Sequence, residues 1–214
     1  MKILLIGNGK MGRELISIAK NQIVQVIENF KYNYIKENNI DVIIDFSNRD
    51  NLKYIYEYSK KNKTKVVFGT TGFTKEDLDL IKDLANYTAV MLDSNYSKGI
   101  TLLKDIINSN INNIKKYDIS LLEKHHKYKK DNISGTLISF EEILKNNNIK
   151  YSLNSIRGGT IRGEHEILLL GEEEYIEIKH VALSRKIYAL GALEASRWLM
   201  CKEKGLFSYS DCKF

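Results

Sequence analysis

The sequence predicts an α/β protein whose first half is a parallel sheet that alternates with helices. Short apolar runs alternate there with stretches whose apolar residues recur every three or four positions, as on a helix. After Asn95 the pattern changes to neighbouring extended runs with few helices, which predicts a second, mixed sheet. We therefore expect two domains: residues 1–94 with 187–214, and an inserted α+β domain of residues 95–186.

The composition is that of a globular protein rather than a disordered or membrane-spanning one. Of the 214 residues 43% are hydrophobic and 28% charged, and no apolar run reaches the roughly 20 residues of a membrane span. Cys201 and Cys212 lack metal-ligand spacing and are expected to be free thiols in a cytoplasmic protein. The net charge of +6 belongs to a chain that has no proline and is rich in Lys, Asn and Ile. Because the whole composition is biased, the basic excess does not predict a nucleic-acid or membrane partner.

The N-terminus predicts a strand, a glycine-rich turn and a helix. Residues 2–6 are apolar, and a G-x-G-x-x-G motif precedes a helix over residues 11–19; the motif consists of Gly7, Asn8, Gly9, Lys10, Met11 and Gly12. In a Rossmann-like dinucleotide-binding unit such glycines allow the tight turn, the close approach of the pyrophosphate and the packing of helix on strand. The alternative is a tight turn in another α/β fold.

The other strand ends supply further candidates for cofactor binding, because ligands of a parallel sheet lie at the carboxyl ends of its strands. Glu28 follows the second strand (residues 23–27), where a Rossmann unit places its ribose-binding carboxylate. The next residue is Asn29 rather than Arg, which favours NADH, whereas Lys31 leaves NADPH open. Further strands are expected at 41–46, 65–69 and 88–92. The strand-end candidates are Glu28, Phe46, Ser47, Gly69, Thr70, Thr71, Asp93, Ser94, Asn95 and Tyr96.

The helices of the first domain and the elements of the second half follow from capping residues and apolar periodicity. Ser47 or Asn48 and then Thr74 with Asp77 are expected to begin helices, and Leu78, Ile81, Leu84 and Ala85 to form the buried face of the second. Ser97 is expected to begin a further helix. The later elements are expected to be a strand at 117–122, a helix at 135–145, extended runs at 149–157, 160–170 and 173–183 with a hairpin at Gly171, and a helix at 187–201 that returns to the first domain. Leu206 and Phe207 form a short apolar tail.

The segment from Glu123 to Thr136 carries most of the reactive side chains, with two histidines, four lysines and a Ser-Gly-Thr turn. We interpret it as a solvent-exposed loop that binds a small acidic substrate, since lysine and histidine supply positive charge and protons and the turn can direct N–H groups toward an anion. A solvated basic loop without a function is the alternative. The spacing of His, Cys, Asp and Glu residues predicts no metal site. His165 and His180 lie in predicted strands and are interpreted as hydrogen-bonded structural histidines.

This segment resembles the catalytic signature of the 4-hydroxy-tetrahydrodipicolinate reductase (dihydrodipicolinate reductase) family in its short form. The resemblance rests on the order Glu123, His125, His126, Lys129, Asp131, Ser134, Gly135 and Thr136. Three further stretches are similar in order: residues 69–73, residues 95–99 and the run from Arg157 to His165. The resemblance implies a Rossmann domain completed by the C-terminal helix, and a substrate domain whose open sheet builds a homotetramer.

The resemblance also implies a reaction and a set of roles. It implies nicotinamide-dependent reduction of 4-hydroxy-tetrahydrodipicolinate to tetrahydrodipicolinate in the diaminopimelate route to lysine, with NADH or NADPH as cofactor. His125 would donate and accept a proton, and Lys129 would donate one. The residues implied to bind the dicarboxylate substrate are His126, Ser134, Gly135 and Thr136.

The chain departs from the family's pattern at three places. Ile133 stands where the family usually has proline, the glycine motif is one residue shorter than the common form, and the segment 137–156 is brief. Two other functions stay open from the residues alone. One is a related NAD(P)-dependent amino- or imino-acid dehydrogenase, and the other is a non-catalytic protein that binds NAD(H) as a regulator.

Overall fold

The computed structural model describes residues 1–30, 34–129 and 131–212, which form two compact units. The first unit comprises Met1–Tyr96 and the described part of the chain from Arg185 onwards, and the second comprises Ser97–Ser184. The strands are β1 (Ile3–Ile6), β2 (Ile23–Ile27), β3 (Val42–Asp45), β4 (Lys65–Phe68), β5 (Ala89–Leu92), β6 (Asp118–His125), β7 (Tyr151–Arg157), β8 (Glu164–Leu170), β9 (Tyr175–Val181) and β10 (Gly205–Phe207). The helices are α1 (Lys10–Ala19), α2 (Leu52–Asn62), α3 (Lys75–Leu84), α4 (Lys98–Ser109), α5 (Ile111–Ile114), α6 (Gly135–Asn146) and α7 (Lys186–Leu199).

The first unit is built on a parallel sheet of six strands in the order β10-β5-β4-β3-β1-β2. Successive residues of a strand point to opposite faces, and both faces are covered here. Ile3 and Leu5 of β1 pack with residues of α1 and α7, whereas Leu4 and Ile6 pack with residues of α2 and α3. This arrangement confirms the predicted α/β fold with a parallel sheet, and it explains why the central strands are apolar without alternation.

Local capping in this unit follows the sequence closely. Asn48 caps a short 3-10 helix that leads into α2, and Thr74 and Asp77 form a capping box at the start of α3. Two expectations were wrong. Leu78 is exposed rather than buried, and the chain after α7 adds a sixth strand, β10, beside β5 where only an apolar tail was expected. Three residues are too few for an alternating pattern to be visible in a sequence.

The second unit is built on a mixed sheet of four strands in the order β7-β6-β8-β9. The β6 and β7 strands pair in parallel, and the two other pairs are antiparallel. Helices α4 and α6 cover one face, where Leu103, Leu121, Phe140 and Ile167 share a core. Ser97 caps α4 and Gly171 lies in the β8–β9 hairpin, as predicted.

Cys201 is exposed, Cys212 is buried, and both are free thiols. Among the residues that the structure describes, no helix combines the length and the apolar character that crossing a membrane requires.

Candidate functional site

The glycine turn after β1 has the shape that its sequence predicts. Gly7 has a φ of 101°, which side chains rarely adopt, and a Cβ on it would lie 2.4 Å from the carbonyl oxygen of Phe46. A Cβ on Gly12 would lie 2.1 Å from the carbonyl oxygen of Gly7. A Cβ on Gly9 would meet nothing within 4 Å. Gly7 and Gly12 are therefore required by the fold itself, whereas Gly9 leaves open space before the first turn of α1.

A cavity of about 470 Å³ opens beside this turn in the first unit. Its lining includes the predicted cofactor residues Gly7, Asn8, Gly9, Glu28, Phe46 and Ser47. The Asn8 Nδ2 atom donates a hydrogen bond to Oε1 of Glu28 across 2.9 Å, which joins the glycine turn to the end of β2. Arg13 also lines the cavity and was not predicted. Its position one residue after the glycine motif, in the first turn of α1, was the signal that sequence reasoning missed.

The ends of β3 and β4 are joined by a buried carboxylate, Asp45, which was also not predicted. The Ser47 hydroxyl and backbone N–H both donate to the Asp45 carboxylate, and the same N–H donates to Oγ1 of Thr70 across 2.9 Å. Asn51 Nδ2 donates to the Ser47 hydroxyl at 2.9 Å. Burial raises the pKa of Asp45 to about 6, against the lowering effect of these hydrogen bonds. The loop around Ser47 and Thr70 is thus held by a hydrogen-bond network.

The predicted residues after β5 have mixed surroundings. The Asp93 carboxylate accepts hydrogen bonds from the backbone N–H groups of Asn95 at 3.0 Å and Tyr209 at 3.1 Å. The Tyr96 hydroxyl donates to the Phe68 carbonyl at 2.7 Å, and Tyr96 is buried. Ser94 is exposed. The predicted cofactor residues thus follow the carboxyl ends of β1 to β5, with Lys10, Met11 and Gly12 in the start of α1. Asp93 and Tyr96 also hold this edge of the sheet together.

In the second unit the segment from Glu123 to Thr136 is only partly the exposed loop that the sequence suggested. Glu123 and His125 belong to β6, where they continue the buried face of that strand, and Ser134 and Thr136 are buried as well. The interpretation as a solvent-exposed loop was therefore wrong for these residues. The reason is the period of the strand: Ile119, Leu121, Glu123 and His125 all point to the same face.

Glu123 is the centre of a polar cluster. Its side chain is fully buried and accepts a hydrogen bond from Nη2 of Arg157 across 2.6 Å and bonds from the backbone N–H of Ser134 at 3.3 and 3.1 Å. Nδ1 of His125 lies 3.6 Å from Oε1 of Glu123. Burial alone would raise the pKa of Glu123, but its interactions with His125, Ser134 and Arg157 outweigh burial and hold the pKa at about 2. Glu123 is therefore a carboxylate at any physiological pH.

His165 lies against this cluster because β8 pairs with β6 and places His165 opposite Glu123. The rings of His125 and His165 are 5.3 Å apart between centroids, and Nε2 of His165 is 3.2 Å from the Ser134 hydroxyl. Burial, followed by the charge of His125, lowers the pKa of His165 to about 3, so its ring is neutral. His180 on β9 lies beyond it and makes a hydrogen bond with the Ser97 hydroxyl at 3.2 Å. The structural interpretation of both histidines is consistent with these bonds.

His126, Lys127 and Lys129 follow β6 in a short turn. The Lys129 ammonium pairs with the Asp131 carboxylate at 3.1 Å, and the backbone N–H of Lys129 donates to the carbonyl of His126. The His126 ring is half-buried and lies near Tyr128, with 6.3 Å between ring centroids. The Lys129 charge also contributes to the low pKa of His165. The charges of His125 and Lys129 thus both disfavour protonation of His165 within this unit.

The Ser134-Gly135-Thr136 turn is the N-terminus of α6. The Ser134 hydroxyl accepts a hydrogen bond from the N–H of Leu137 at 3.2 Å, and Gly135 and Thr136 form the first helical turn. Backbone N–H groups at the start of a helix lack intrahelical partners, and the helix dipole makes this end attractive to anions. The turn therefore has the properties of a carboxylate site. Ile133, the residue in place of proline, packs against the core of this unit.

Three potential metal ligands also meet in this cluster. One ligand atom each from Glu123, His125 and His165 lies within 4.8 Å of the others. The spacing in the sequence did not reveal this set, because His165 is supplied by a different strand. The Glu123 oxygens are, however, already bonded to the Arg157 guanidinium and to the Ser134 N–H. The Arg157 guanidinium thus already neutralises the Glu123 carboxylate, so we interpret the cluster as an ion pair with two neighbouring histidines rather than as a metal site.

Two family models match the chain over nearly its whole length. The model of the dihydrodipicolinate reductase N-terminus matches residues 1–96, and the model of its C-terminus matches residues 99–212. The chain belongs to the dihydrodipicolinate reductase family. Members of this family are nicotinamide-dependent oxidoreductases. The glycine turn lies in the part of the chain that matches the N-terminal model, and the basic segment lies in the part that matches the C-terminal model.

Curated relatives agree with this assignment. The 4-hydroxy-tetrahydrodipicolinate reductase of Clostridium novyi is 36% identical, with 98% of this chain and 97% of the relative covered. The enzyme of the same name from Thermosipho africanus is 34% identical, with 95% of this chain and 93% of the relative covered. The one from Wigglesworthia glossinidia brevipalpis is 45% identical over 79% of this chain and 66% of the relative.

Solved structures share the fold of this family member. A dipicolinate-bound dihydrodipicolinate reductase from Paenisporosarcina sp. TG-14 matches with a TM-score of 0.75 at 20% identity, covering 100% of both chains. An aspartate dehydrogenase from Thermotoga maritima matches with a TM-score of 0.52 at 13% identity, covering 94% of this chain and 97% of that one. These likenesses confirm the fold class.

Proposed function

We propose that this protein reduces 4-hydroxy-tetrahydrodipicolinate to tetrahydrodipicolinate in the diaminopimelate route to lysine, with NADH or NADPH as the hydride donor. Family membership and the names of the curated relatives support the reaction. The observation that carries the proposal for this chain is the second unit's cluster, in which His125 and Lys129 lie on one short segment that ends at the N-terminus of α6. Such a segment offers proton donors and a carboxylate site together.

The chemistry defines what the second unit must supply. Replacing the substrate's hydroxyl by hydrogen takes one hydride from the nicotinamide and one proton, and it releases the hydroxyl as water. Hydride addition to an electron-poor ring carbon leaves electron density that a nearby cation stabilises. We assign proton transfer to His125 and Lys129, which as general acids contribute about 10²- to 10⁴-fold each.

The dicarboxylate is assigned to the turn that begins α6. Gly135 and Thr136 would receive one carboxylate with their backbone N–H groups, and Ser134, whose own N–H is bonded to Glu123, would contribute through its hydroxyl. His126 would contact the substrate from the preceding turn. The Paenisporosarcina reductase is bound to dipicolinate, a dicarboxylate of the same kind, which supports this class of ligand. The helix N-terminus provides attraction without a mobile charged side chain.

The first unit is assigned to the cofactor. We propose that residues 1–94 with 187–214 bind the dinucleotide, with the pyrophosphate at the glycine turn and the adenosine ribose at Glu28. Glu28 favours NADH, because a carboxylate accepts hydrogen bonds from a ribose diol and repels a 2′-phosphate. Lys31, which left NADPH open, lies outside the described residues.

Residues 95–186 are assigned to substrate binding and to oligomerisation. The face of the second sheet opposite α4 and α6 carries exposed apolar side chains, among them Ile156 on β7, Leu170 on β8 and Val181 on β9. A sheet face with such residues suits association between subunits, which supports the homotetramer implied by the family resemblance. Cytoplasmic location is part of the same proposal.

A direct assay tests the proposed function. The purified protein is mixed with NADH and freshly made 4-hydroxy-tetrahydrodipicolinate, and loss of NADH absorbance is followed; NADPH is run in parallel. We expect substrate-dependent oxidation, with NADH used better. His125→Gln and Lys129→Ala should each lower kcat by about 10²-fold or more with little change in the Kd of NADH. A wild-type protein that binds NADH but does not oxidise it with this substrate would refute the reductase function and favour a regulatory NAD(H)-binding protein.

A further inference from the structure

The Glu123–Arg157 ion pair also forms hydrogen bonds with several backbone groups of the segment that leads to α6. Glu123 is fully buried on β6, and Arg157 is the last residue of the neighbouring strand β7. A single guanidinium nitrogen, Nη2 of Arg157, donates to the Glu123 carboxylate at 2.6 Å and to the carbonyls of Asp131 at 2.9 Å and Asn132 at 2.7 Å. Taking a carboxylate out of water costs several kcal/mol unless it is paired and hydrogen-bonded. These hydrogen bonds therefore stabilise the buried pair, and they connect it to the loop that contains Asp131 and Asn132.

On one side the pair controls the turn that leads to α6. Arg157 holds the carbonyls of Asp131 and Asn132, and Glu123 holds the N–H of Ser134. Backbone groups at both ends of this short stretch are therefore fixed to two rigid strands. Asp131 in turn pairs with the Lys129 ammonium at 3.1 Å. The position of the ion pair thus sets the position of Lys129 and of the first turn of α6.

On the other side the pair controls the His125 ring. The Glu123 carboxylate lies 3.6 Å from Nδ1 of His125, which is longer than a hydrogen bond but close enough for a strong electrostatic preference. Among the described residues, this buried Nδ1 has no partner within hydrogen-bond distance. A carboxylate on this side favours a proton on Nδ1, so the neutral ring keeps Nε2 free to exchange a proton with a ligand.

We infer that Glu123 and Arg157 are positioning residues, whose ion pair sets the tautomer of His125 and the placement of Lys129 and of residues 131–136 relative to it. The expected effect on kcat rests on the proposed function, whereas the expected effect on the His125 tautomer does not. Neither side chain needs to touch the substrate. The pair aligns the two proton donors and the carboxylate site with one another.

The alternative is that the Glu123–Arg157 pair only stabilises the fold. A double variant distinguishes this alternative from a positioning role. Glu123→Gln leaves the half-buried Arg157 guanidinium without its counter-charge, and Arg157→Met leaves the buried Glu123 carboxylate without one, so both single variants should lose stability. Glu123→Gln combined with Arg157→Met removes both charges and should regain most of that stability. If the pair positions the site, kcat stays lowered by about 10²-fold in the double variant although its thermal midpoint recovers.

Matched controls sharpen the kinetic test. Glu166 is also buried and ion-paired, with Lys124 at 2.7 Å, and lies on β8 in the same unit. Glu166→Gln should keep kcat within about twofold, and all variants should keep the wild-type Kd of NADH. Arg157→Lys keeps the charge but loses the multiple bonds of the guanidinium, so it should still raise the KM for substrate. A double variant that regains wild-type kcat together with its stability would overturn the inference.

A spectroscopic test does not depend on activity. With ¹⁵N-labelled histidine, the side-chain nitrogen shifts report which ring nitrogen carries the proton, and His125→Gln assigns the His125 signals among the four histidines. We expect the Nδ1–H tautomer in the wild type and a shift toward Nε2–H in Glu123→Gln, with Glu166→Gln unchanged. An Nε2–H tautomer in the wild type, or no change in Glu123→Gln, would refute the inference. If instead the wild type shows the expected tautomer but no turnover, the proposed reaction fails and the positioning role stands.

Discussion

Asn8 and Glu28 are joined by a hydrogen bond of 2.9 Å, from the amide of a residue in the glycine turn to a carboxylate at the end of the next strand. Glu28 is otherwise exposed, and its strand neighbour Ile27 is buried. The bond therefore gives an exposed carboxylate a fixed direction beside the turn. A fixed negative charge at this point accepts hydrogen bonds from a ribose and opposes a phosphate on it.

Glu28→Gln should shift cofactor preference toward NADPH. Glutamine keeps the size of the side chain but removes the charge that repels a 2′-phosphate. We expect the ratio of kcat/KM for NADPH to that for NADH to rise by about tenfold, which corresponds to about 1.4 kcal/mol of differential transition-state stabilisation. Steady-state kinetics with both cofactors measure this ratio. An unchanged ratio would show that Glu28 does not discriminate between the cofactors.

Gly9→Ala and Gly12→Ala should separate cofactor binding from folding. The added methyl at position 12 collides with the carbonyl oxygen of Gly7 at 2.1 Å, so this variant should lose several degrees in Tm. At position 9 the methyl meets open space, so the Tm should hold. The same methyl stands where a pyrophosphate approaches the backbone, so the Kd of NADH should rise by about tenfold or more. Thermal melts and NADH fluorescence titrations measure the two effects, and equal NADH affinity in Gly9→Ala and wild type would contradict the placement of the pyrophosphate.

The glycine turn and the strand ends could be predicted because they are local patterns. A motif, its preceding strand and its following helix occupy consecutive residues, and the rule that ligands lie at carboxyl ends of parallel strands then selects Glu28, Phe46 and Ser47. The caps at Ser97 and Thr74 are local for the same reason. Predictions of this kind need no knowledge of which strands pair.

The centre of the second unit could not be predicted because it depends on strand register. His165 faces Glu123 only because β8 pairs with β6 in one particular register, and Arg157 reaches Glu123 only because β7 ends beside His125. The alternation through Ile119 and Leu121 did point to Glu123 and His125 as continuing a buried face. The lysines around them obscured this signal and suggested an exposed loop.

His165→Gln should make the protein's stability less sensitive to acid. The folded-state pKa of His165 is lowered to about 3 from an ordinary value of 6.5, mainly by burial. Between these pH values the unfolded chain binds a proton at this side chain and the folded protein does not, so stability falls as the pH drops. Near pH 5.5 this group contributes a slope of about 1 kcal/mol per pH unit.

Urea unfolding at several pH values from 7 down to 5 checks this prediction. Asp45 works in the opposite direction over part of this range, because its folded-state pKa is raised to about 6. The wild type and His165→Gln share Asp45, so the difference between their unfolding free energies isolates His165. That difference should change in favour of the variant as the pH falls. A constant difference would mean that His165 is protonated alike in both states.

Ser134→Ala should combine a loss of stability with a loss of substrate binding, and Thr74→Ala should show only the first. Both residues cap helices through a side-chain oxygen, Ser134 at α6 and Thr74 at α3. Removing such a cap costs about 1 kcal/mol. Only the α6 terminus is assigned to the substrate's carboxylate, so only Ser134→Ala should raise the KM for 4-hydroxy-tetrahydrodipicolinate, by about fivefold or more, and weaken dipicolinate binding in parallel. Ser134→Thr, which keeps a hydroxyl, should restore much of both. If Thr74→Ala raised the KM as strongly as Ser134→Ala, the effect would reflect general destabilisation, and the assignment of the α6 N-terminus to the carboxylate would be refuted.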